Sequence, residues 1–414
     1  MKFLRAALCA LVAFGVVAHG AVEVWATAVL EVGALLLLVA WAIHVYRRET
    51  EKVEIAPLVL PLLLFAAIVL GQLALHRSLY PYATRVNLQL LIADLILLFL
   101  AGQFYRTLAD WRGFIWFAMT LGFAVSVFAI LQHFTFNGKL YWLREMRFGG
   151  NPFGPYVNRN HFAGFVELAI PIGLAPLVLG RVRRERWLLV GLFTFVPVVA
   201  LVLCASRGGL VSLVVEMVFL GILVALRRSG TQHILAGAVV LLLAVSFVSW
   251  LGAERVLERY ATLQPLEVTS SKRAAMARDT MHIFLDYPWT GTGLGTLETV
   301  FPRYETLYDG KAVDHAHNDY VEALAETGAA GGLACAWFLV TLAWCGLRRI
   351  LQPRNAAASA LQAGAVVACA GFLMHSLVDF NLHIPANALL FLLMANLATV
   401  EMSPSPPRAR TATP

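Results

Sequence analysis

The chain has 414 residues, of which 59% are hydrophobic and only 14% are charged, and its formal net charge is +7. A soluble domain carries roughly 25% charged residues, so this composition excludes an ordinary soluble protein. The basic residues form no aromatic-rich module, which argues against a nucleic-acid partner. The lack of period-two alternation argues against an outer-membrane barrel. The fold class that remains is an all-α polytopic membrane protein.

Apolar runs close to the ~20 residues needed to cross a membrane recur along the whole sequence. Backbone polar groups find no water in lipid, so each run is predicted to be a transmembrane helix. The first run resembles a signal peptide, with Lys2 and Arg5 near its start, but we expect it to remain as an uncleaved helix. The twelve predicted spans are 3–18, 24–46, 55–75, 87–105, 113–133, 160–180, 187–204, 209–226, 233–251, 320–346, 360–378 and 384–400.

The chain is predicted to have three regions. Residues 1–157 form the N-terminal transmembrane helices, residues 158–400 form a transmembrane core that includes a long loop at 252–319, and residues 401–414 form a disordered tail. An amphipathic helix is predicted at 271–286 within the loop, where it could lie along the membrane surface. Its expected apolar stripe consists of Ala277, Met281, Phe284 and Leu285.

Arginine and lysine are concentrated in alternate connections between the spans, such as 47–48, 181–186 and 348–354. Cytoplasmic loops of membrane proteins carry this excess of positive charge. Both termini are therefore predicted to be cytoplasmic, and the loop 252–319 is predicted to lie on the opposite side of the membrane.

The most informative polar segment is Asp314-His315-Ala316-His317-Asn318-Asp319, which stands where a long apolar run begins. A structural helix needs one capping residue at its start and not a cluster of ionisable groups. Histidine titrates near neutral pH, so a proton could be taken up or released there. The segment therefore predicts an enzyme whose chemistry takes place at a membrane surface.

Several arginines fall on the outer side, where the charge bias disfavours them. Arg207 is followed by two glycines between apolar spans, and Arg159 precedes Asn160 and His161 at the start of another span. Arg273 and Arg278 lie in the predicted loop helix. An arginine fork and open helix amides suit phosphate oxygens, whereas the alternative for each arginine is an ordinary ion pair.

Other polar features have simpler explanations. Residues 291–295, Gly-Thr-Gly-Leu-Gly, follow no strand and are predicted to be a turn and not a dinucleotide site. His315 and His317 have no further His or Cys at ligand spacing, so no metal site is predicted. Glu31, Asp94 and Glu216 lie inside spans, where each is either functional or one polar contact between helices.

Four segments resemble the bacterial O-antigen ligase and O-antigen polymerase (Wzy-type) superfamily. They are residues 158–164, Ser206-Arg207-Gly208-Gly209, the loop run 286–295, and His317-Asn318 followed after nine residues by Gly328. The resemblance covers about residues 150–395 and depends on the order and loop placement of these short motifs.

The resemblance implies a glycosyltransferase of the bacterial inner membrane that acts on the periplasmic side. Its donor would be a glycan on a polyprenyl (undecaprenyl) diphosphate, and it would need no metal, nucleotide or other cofactor. His317 matches the family's catalytic histidine and Arg207 its outer-face arginine. A second family arginine lies in the loop, for which Arg278 is the first choice and Arg273 the second.

The residues alone lead to similar chemistry. Nucleotide sugars stay in the cytoplasm, so an outer site needs a lipid diphosphate donor, whose leaving charge arginines would stabilise. A neutral His317 would take the proton of an acceptor hydroxyl, Asp314 or Asp319 would orient its ring, and the displacement would invert the anomeric centre. The expected substrate-binding residues are Arg159, Asn160, His161, Arg273, His315, Asn318 and Tyr320.

Three transfer reactions share these motifs: polymerisation of repeat units, ligation to the lipid A core in lipopolysaccharide, and transfer to protein. Polymerase or ligase activity in O-antigen or exopolysaccharide synthesis is favoured, because no polypeptide-binding domain is evident. The alternative of a different class is a transporter or lipid-linked glycan flippase. It would place ionisable groups through the spans and broken helices near the midplane.

Overall fold

The computed structural model describes residues 1–47, 53–145, 151–227, 270–308 and 310–402. Within these ranges the chain forms helices, short connections and two isolated β-bridges, which confirms the all-α fold. The helices are α1 (Lys2–Val17), α2 (Val24–Tyr46), α3 (Val59–Ala74), α4 (Pro81–Phe104), α5 (Leu108–Phe134), α6 (Arg159–Val178), α7 (Trp187–Leu203), α8 (Arg207–Arg227), α9 (Ser270–Asp286), α10 (Leu297–Val300), α11 (Asp319–Leu351), α12 (Ala356–His375) and α13 (Pro385–Thr399).

Eight helices in the described ranges are long and apolar enough to cross a membrane: α2, α4, α5, α6, α7, α8, α11 and α12. Helices α3 and α13 are apolar but shorter, and α1 has 16 residues. Each predicted span coincides with one of these helices, except 233–251, which lies outside the described residues. The disordered tail predicted at 401–414 also lies outside them from residue 403 onward.

Helices α6 and α12 form the centre of the bundle and are largely buried. Their close approach follows from small residues: a Cβ atom at Gly364 would meet the carbonyl oxygen of Pro171 at 2.7 Å. Small residues allow this backbone contact between membrane helices, where packing replaces the hydrophobic effect. The start of α6 and the end of α12 therefore have little freedom relative to each other.

Ion pairs join the helices at the end of the bundle where α1 begins. At one end Arg5 pairs with Asp110, and Arg349 pairs with Glu401 at 3.2 Å. Helices α1 and α13 run in opposite directions, since Gly15 near the end of α1 packs against Ala386 at the start of α13. The start of α1 and the end of α13 thus lie at the same end of the bundle, which is consistent with the predicted topology. The candidate site residues lie at the opposite end.

Helix α9 begins one residue before the predicted amphipathic helix and ends where predicted. The predicted apolar stripe is wrong, because Ala277, Met281 and Phe284 are only half-buried and Leu285 is exposed. Another face packs against α11 and buries Met276, Thr280 and Ile283 together with Lys272 and Asp279. Asp279 can be buried because it accepts hydrogen bonds from the backbone and hydroxyl of Thr306.

A break in α11 accommodates the glycine-rich segment. Gly328 has φ +63 inside the helix, and a Cβ atom there would overlap the backbone of Trp289. The freed amides of Ala329 and Ala330 donate to the carbonyl oxygens of Pro288 and Trp289, at 2.7 and 3.2 Å. The segment after Trp289 is a turn, as predicted, and it is fastened to α11 by backbone hydrogen bonds.

Candidate active site

A cavity of about 1460 Å³ opens near the end of the bundle where α6, α11 and α13 begin. Its polar lining comes from this end and includes Asn160, His161, Arg273, His315, His317 and Tyr320. All six were predicted from the sequence. The apolar lining comes from α3, α4, α11 and α13 and includes Leu62, Phe65, Val86, Leu90, Leu91, Phe338, Leu339, Phe391 and Leu392.

Asp379 lies at the centre of the polar group, in the connection between α12 and α13, and is completely buried. Asn160 donates a hydrogen bond of 2.6 Å to its Oδ2, and the amide of Phe380 donates one of 2.9 Å to its Oδ1. Arg273 approaches Oδ2 at 3.9 Å and donates to the carbonyl oxygen of Val378 at 2.9 Å. A buried carboxylate with these partners remains ionised.

Two imidazoles flank the same carboxylate. Nε2 of His161 and Nδ1 of His317 lie 3.7 and 3.6 Å from Oδ1 of Asp379, just beyond hydrogen-bonding distance. Both rings contact Phe380 edge-on, with centroids 4.8 and 5.0 Å away. Burial alone would raise the pKa of the Asp379 carboxyl, but the imidazoles of His161 and His317 hold it well below its usual range.

Local sequence explains how these side chains are placed. Asn158 caps α6 by accepting from the amide of Asn160 at 2.9 Å, which sets the first turn that carries His161. Asn318 caps α11 in the same way and accepts from two amides at 3.1 Å. His317 precedes this cap with a left-handed backbone, φ +50, a conformation that non-glycine residues seldom adopt.

The segment that follows His317 is tied to the end of α12. Asn318 donates to the carbonyl oxygen of Leu377 at 3.0 Å, and the hydroxyl of Tyr320 donates to that of Leu373 at 2.7 Å. The amide of Asp319 donates to the carbonyl oxygen of Ser376 at 3.0 Å. These bonds hold His317 opposite Asp379. Asn318 and the hydroxyl of Tyr320 thus have structural partners, and their predicted contacts with substrate remain predictions.

A second polar group lies beside the first. Glu322 Oε1 is 2.7 Å from Nδ1 of His315 and 3.3 Å from Nε2 of His383, and Nδ1 of His383 is 2.9 Å from Oδ1 of Asp319. The ring of His315 stacks on Phe380 at 4.3 Å. Burial alone would lower the pKa of the His383 imidazole, but Glu322 and Asp319 raise it to about 10.

The orienting role predicted for Asp314 or Asp319 is not supported. Asp319 is directed to His383, and Asp314 is exposed and accepts from the amide of His315 at 3.0 Å. Asp379 occupies the position expected of an orienting carboxylate for His317.

The structure separates the two arginines of α9. Arg273 lines the cavity beside Asp379. Arg278, the first choice from the sequence, is 64% exposed, bonds Thr306 at 3.0 Å and does not line the cavity. The two residues are about one and a half helical turns apart, so their side chains point in different directions. Hydropathy alone does not show which of them faces the cavity. The geometry therefore favours Arg273 for contact with substrate.

Arg159 and Arg207 also lie outside the cavity lining. Arg207 is exposed at the start of α8, whereas Arg159 is buried in the first turn of α6. The amide of Gly209, expected to be open to an anion, instead donates to the hydroxyl of Ser206 at 3.2 Å. Gly209 has a packing reason as well, since a Cβ atom there would meet that of Ala163 at 2.7 Å. The functional roles of both arginines remain predictions.

The ionisable residues predicted inside spans fall into two places. Glu31 and Asp94 line the cavity. Glu216 is buried and packs beside Gly371 of α12. Nearby, Glu167 of α6 lies 3.0 Å from His375 at the end of α12. This pair is a contact between the two central helices that the sequence had not indicated.

Sequence reasoning missed three residues of the polar groups: Glu322, Asp379 and His383. One signal was present, because His375, Asp379 and His383 recur at intervals of four around a predicted span boundary. Nothing in the sequence showed that this connection would lie against the start of α11.

The fold and the site define a multi-span helical membrane protein with a buried carboxylate and imidazoles at one end of a largely apolar cavity. Residues 191–336, about a third of the chain, match the family model described as O-Antigen ligase. This match confirms the resemblance to the O-antigen ligase and polymerase superfamily. It supports, in general terms, a membrane enzyme of the glycosyltransferase type. No curated protein matches the chain.

The matched segment includes Arg207, Arg273, Arg278, His315 and His317. It ends before Asp379 and His383 and begins after Asn160 and His161. The contacts around Asp379 therefore join the matched segment to parts of the chain on both sides of it.

Proposed function

We propose that this protein transfers a glycan from a polyprenyl diphosphate carrier to an acceptor hydroxyl at the periplasmic face of the bacterial inner membrane. The observation that carries the proposal is the position of His317, which faces the buried carboxylate of Asp379 at the polar end of a largely apolar cavity. The family match supports the same class of reaction.

The cavity has the chemistry that a lipid diphosphate requires. Its apolar lining suits a polyprenyl chain, and a ligand pocket of this kind needs only a few polar groups to fix orientation. Arg273 and Asn160 are cavity-lining donors, and both approach Asp379, the carboxylate that the imidazoles flank. The planar guanidinium of Arg273 can donate to diphosphate oxygens and stabilise the charge that develops on the leaving group.

His317 is placed to act as a general base. Its Nδ1 is buried against Asp379, so Nε2 is the nitrogen available to a ligand in the cavity. Asp379 fixes this orientation and stabilises the imidazolium that forms. Nε2 takes the hydroxyl proton as the acceptor oxygen bonds to the anomeric carbon. The bond from that carbon to the diphosphate breaks, and the configuration inverts. The guanidinium of Arg273 supplies positive charge at the cavity, so the proposed transfer is metal-independent.

The acceptor is a sugar hydroxyl of the lipid A core or of a growing glycan. The site requires only a hydroxyl near Nε2 of His317, so the chemistry is the same for ligation, for polymerisation and for transfer to protein. The composition of the lipid-linked glycan pool distinguishes the first two.

The test compares cells lacking the protein after restoration of wild-type, His317→Ala or His282→Ala copies. His282 is a matched control because it is exposed on α9 and lies outside the cavity lining. Single repeat units accumulating on the carrier in the deletion and the His317→Ala strain, but not with His282→Ala, indicate a polymerase. Long carrier-linked chains with bare acceptor indicate a ligase. Full rescue by His317→Ala overturns the proposal.

Two observations favour the transporter alternative. Glu31 and Asp94 line the cavity from two membrane helices, and α11 is broken at Gly328. Ionisable groups and broken helices are features of transporters. Purified protein in vesicles distinguishes the two functions. Movement of lipid-linked glycan across the bilayer without any glycosyl transfer supports the transporter, and transfer to an added acceptor glycan supports the enzyme.

A further inference from the structure

Three side chains from separate parts of the chain converge at the wall of the cavity. His315 comes from the segment before α11, Glu322 from the first turn of α11, and His383 from the short segment before α13. One potential ligand atom from each lies within 4.8 Å of the others. We propose that His315, Glu322 and His383 bind a divalent transition-metal ion of the zinc class.

The donor set is one that zinc sites use. Two imidazole nitrogens and one carboxylate oxygen, with a fourth position left for water or a ligand, form a common three-residue zinc site. Bonds of about 2.0–2.1 Å in tetrahedral geometry place neighbouring ligand atoms about 3.3 Å apart. His383 Nε2 and Glu322 Oε1 are already 3.3 Å apart. His315 Nδ1 lies 2.7 Å from the same oxygen and would have to move outward by about 0.6 Å to reach that tetrahedral separation.

The surroundings of the three residues fit a metal site. His383 directs its Nδ1 to Asp319 at 2.9 Å, which leaves Nε2 for the ion. Metal-bound histidines almost always use their second nitrogen in this way. The other oxygen of Glu322 accepts from the amide of Ala316 at 2.8 Å, so Oε1 remains directed at the histidines. Asp319 and Glu322 are both buried, and their charges would attract a cation as readily as they attract protons.

His315, Glu322, His383 and the neighbouring Asp319 all line the cavity. An ion could therefore enter from the cavity, and its fourth coordination position would face the cavity. The inference revises the expectation of no metal, which was made because His315 and His317 had no further ligand nearby in sequence. The fold supplies Glu322 from one side and His383 from the other, whereas His317 is directed to Asp379. The role of the ion would be to hold the segment that carries His317 in place. The proposed transfer chemistry does not pass through the ion.

The experiment is a titration of the full chain in detergent with ZnCl₂ after removal of metals by a chelator and dialysis. Binding is measured by competition with a chromophoric zinc chelator. We expect one zinc ion per chain, and at least a ten-fold loss of affinity in His383→Ala and in Glu322→Gln. His161→Ala is the matched control, because it removes an imidazole from the same cavity but not from the cluster, and it is expected to bind zinc like the wild type.

Thermal unfolding provides the second measurement. Zinc is expected to raise the Tm of the wild type and of His161→Ala but not of His383→Ala. If His383→Ala does not fold, Asp319→Asn tests the same site through the partner of His383, with weaker zinc binding expected. Wild-type protein that binds no zinc, or that binds it no better than His383→Ala and Glu322→Gln, leaves only an ion-pair cluster and overturns the proposal.

Discussion

Asn160 and Asp379 are joined by a hydrogen bond of 2.6 Å between the first turn of α6 and the connection that follows α12. Neither residue lies in the segment that matches the O-antigen ligase family. Their contact nevertheless holds the carboxylate of Asp379 in the position that His161, His317 and Arg273 approach. The negative charge of Asp379 is therefore the feature of the site that the first prediction tests.

Replacing Asp379 by Asn keeps the size of the side chain and removes its charge. We expect the transfer rate to fall by about 10²–10⁴, the usual range for general acid–base catalysis, because the imidazole of His317 loses the carboxylate that orients it. The measurement is transfer from a purified lipid-linked donor in detergent. Asp286→Asn is the control, since Asp286 is exposed and contacts Tyr304 outside the cavity. Equal activity of the two variants would contradict the orienting role.

The charge of Asp379 also predicts a pH dependence of stability. Its pKa in the folded protein lies well below the ordinary value of 3.8, so the folded state binds this proton less readily than the unfolded state. The stabilisation is therefore present above about pH 4 and is lost as the pH falls through the folded pKa. We expect the Tm difference between wild type and Asp379→Asn to shrink as the pH falls below ~4, where Asp379 itself begins to take up its proton. A Tm difference that grows as the pH falls below ~4 would mean that the pKa of Asp379 is raised in the folded protein, and would contradict the prediction.

The two arginines of α9 provide a paired comparison. Arg273→Ala is expected to reduce transfer by about 10²-fold or more, as the loss of one preorganised donor to a developing anion does. Arg278→Ala is expected to change it by less than about three-fold, because an exposed contact contributes little. Both variants are assayed at saturating acceptor and varied donor. A larger loss in Arg278→Ala would show that the donor diphosphate binds outside the cavity described here.

The break in α11 predicts a strong effect of a single methyl group. Gly328→Ala would place a Cβ atom against the backbone of Trp289 at a positive φ, and we expect it to lower the Tm markedly and to reduce the yield of folded protein. Gly71→Ala is the control, because Gly71 lies in α3 with nothing within 4 Å of its added Cβ atom. There alanine should be neutral or slightly stabilising. A Gly328→Ala protein as stable as Gly71→Ala would mean that the Trp289 segment does not pack into the break.

The sequence was sufficient for the features that depend on local pattern. Hydropathy located the spans, and the predicted end of the loop helix at residue 286 is the end of α9. The caps Asn158 and Asn318 stand directly before α6 and α11, so the polar residues around them were placed correctly at helix starts. Six of the predicted residues indeed line one cavity.

The remaining features depend on which elements meet in space. Asp379 and His383 lie in one short connection between helices. Asp379 is 62 residues from His317, and His383 is 61 and 64 residues from Glu322 and Asp319, and no local pattern indicates contacts over that distance. The buried face of α9 was misassigned because two faces carry apolar residues, and only the buried bonds of Asp279 select between them. The choice of Arg273 over Arg278 follows from the same rotation of the helix.

The length of α11 has a consequence for where the reaction takes place. The helix has 33 residues, about 50 Å at 1.5 Å per residue, whereas the hydrocarbon of a bilayer is about 30 Å thick. The part after the break at Gly328 is long enough, at about 34 Å, to cross the hydrocarbon alone. The nine residues before the break, which follow directly on His317 and Asn318, therefore act as a spacer of about 13 Å. Under the proposed function, such a spacer would bring His317 close to the lipid head groups, where the diphosphate of a membrane-anchored donor would lie.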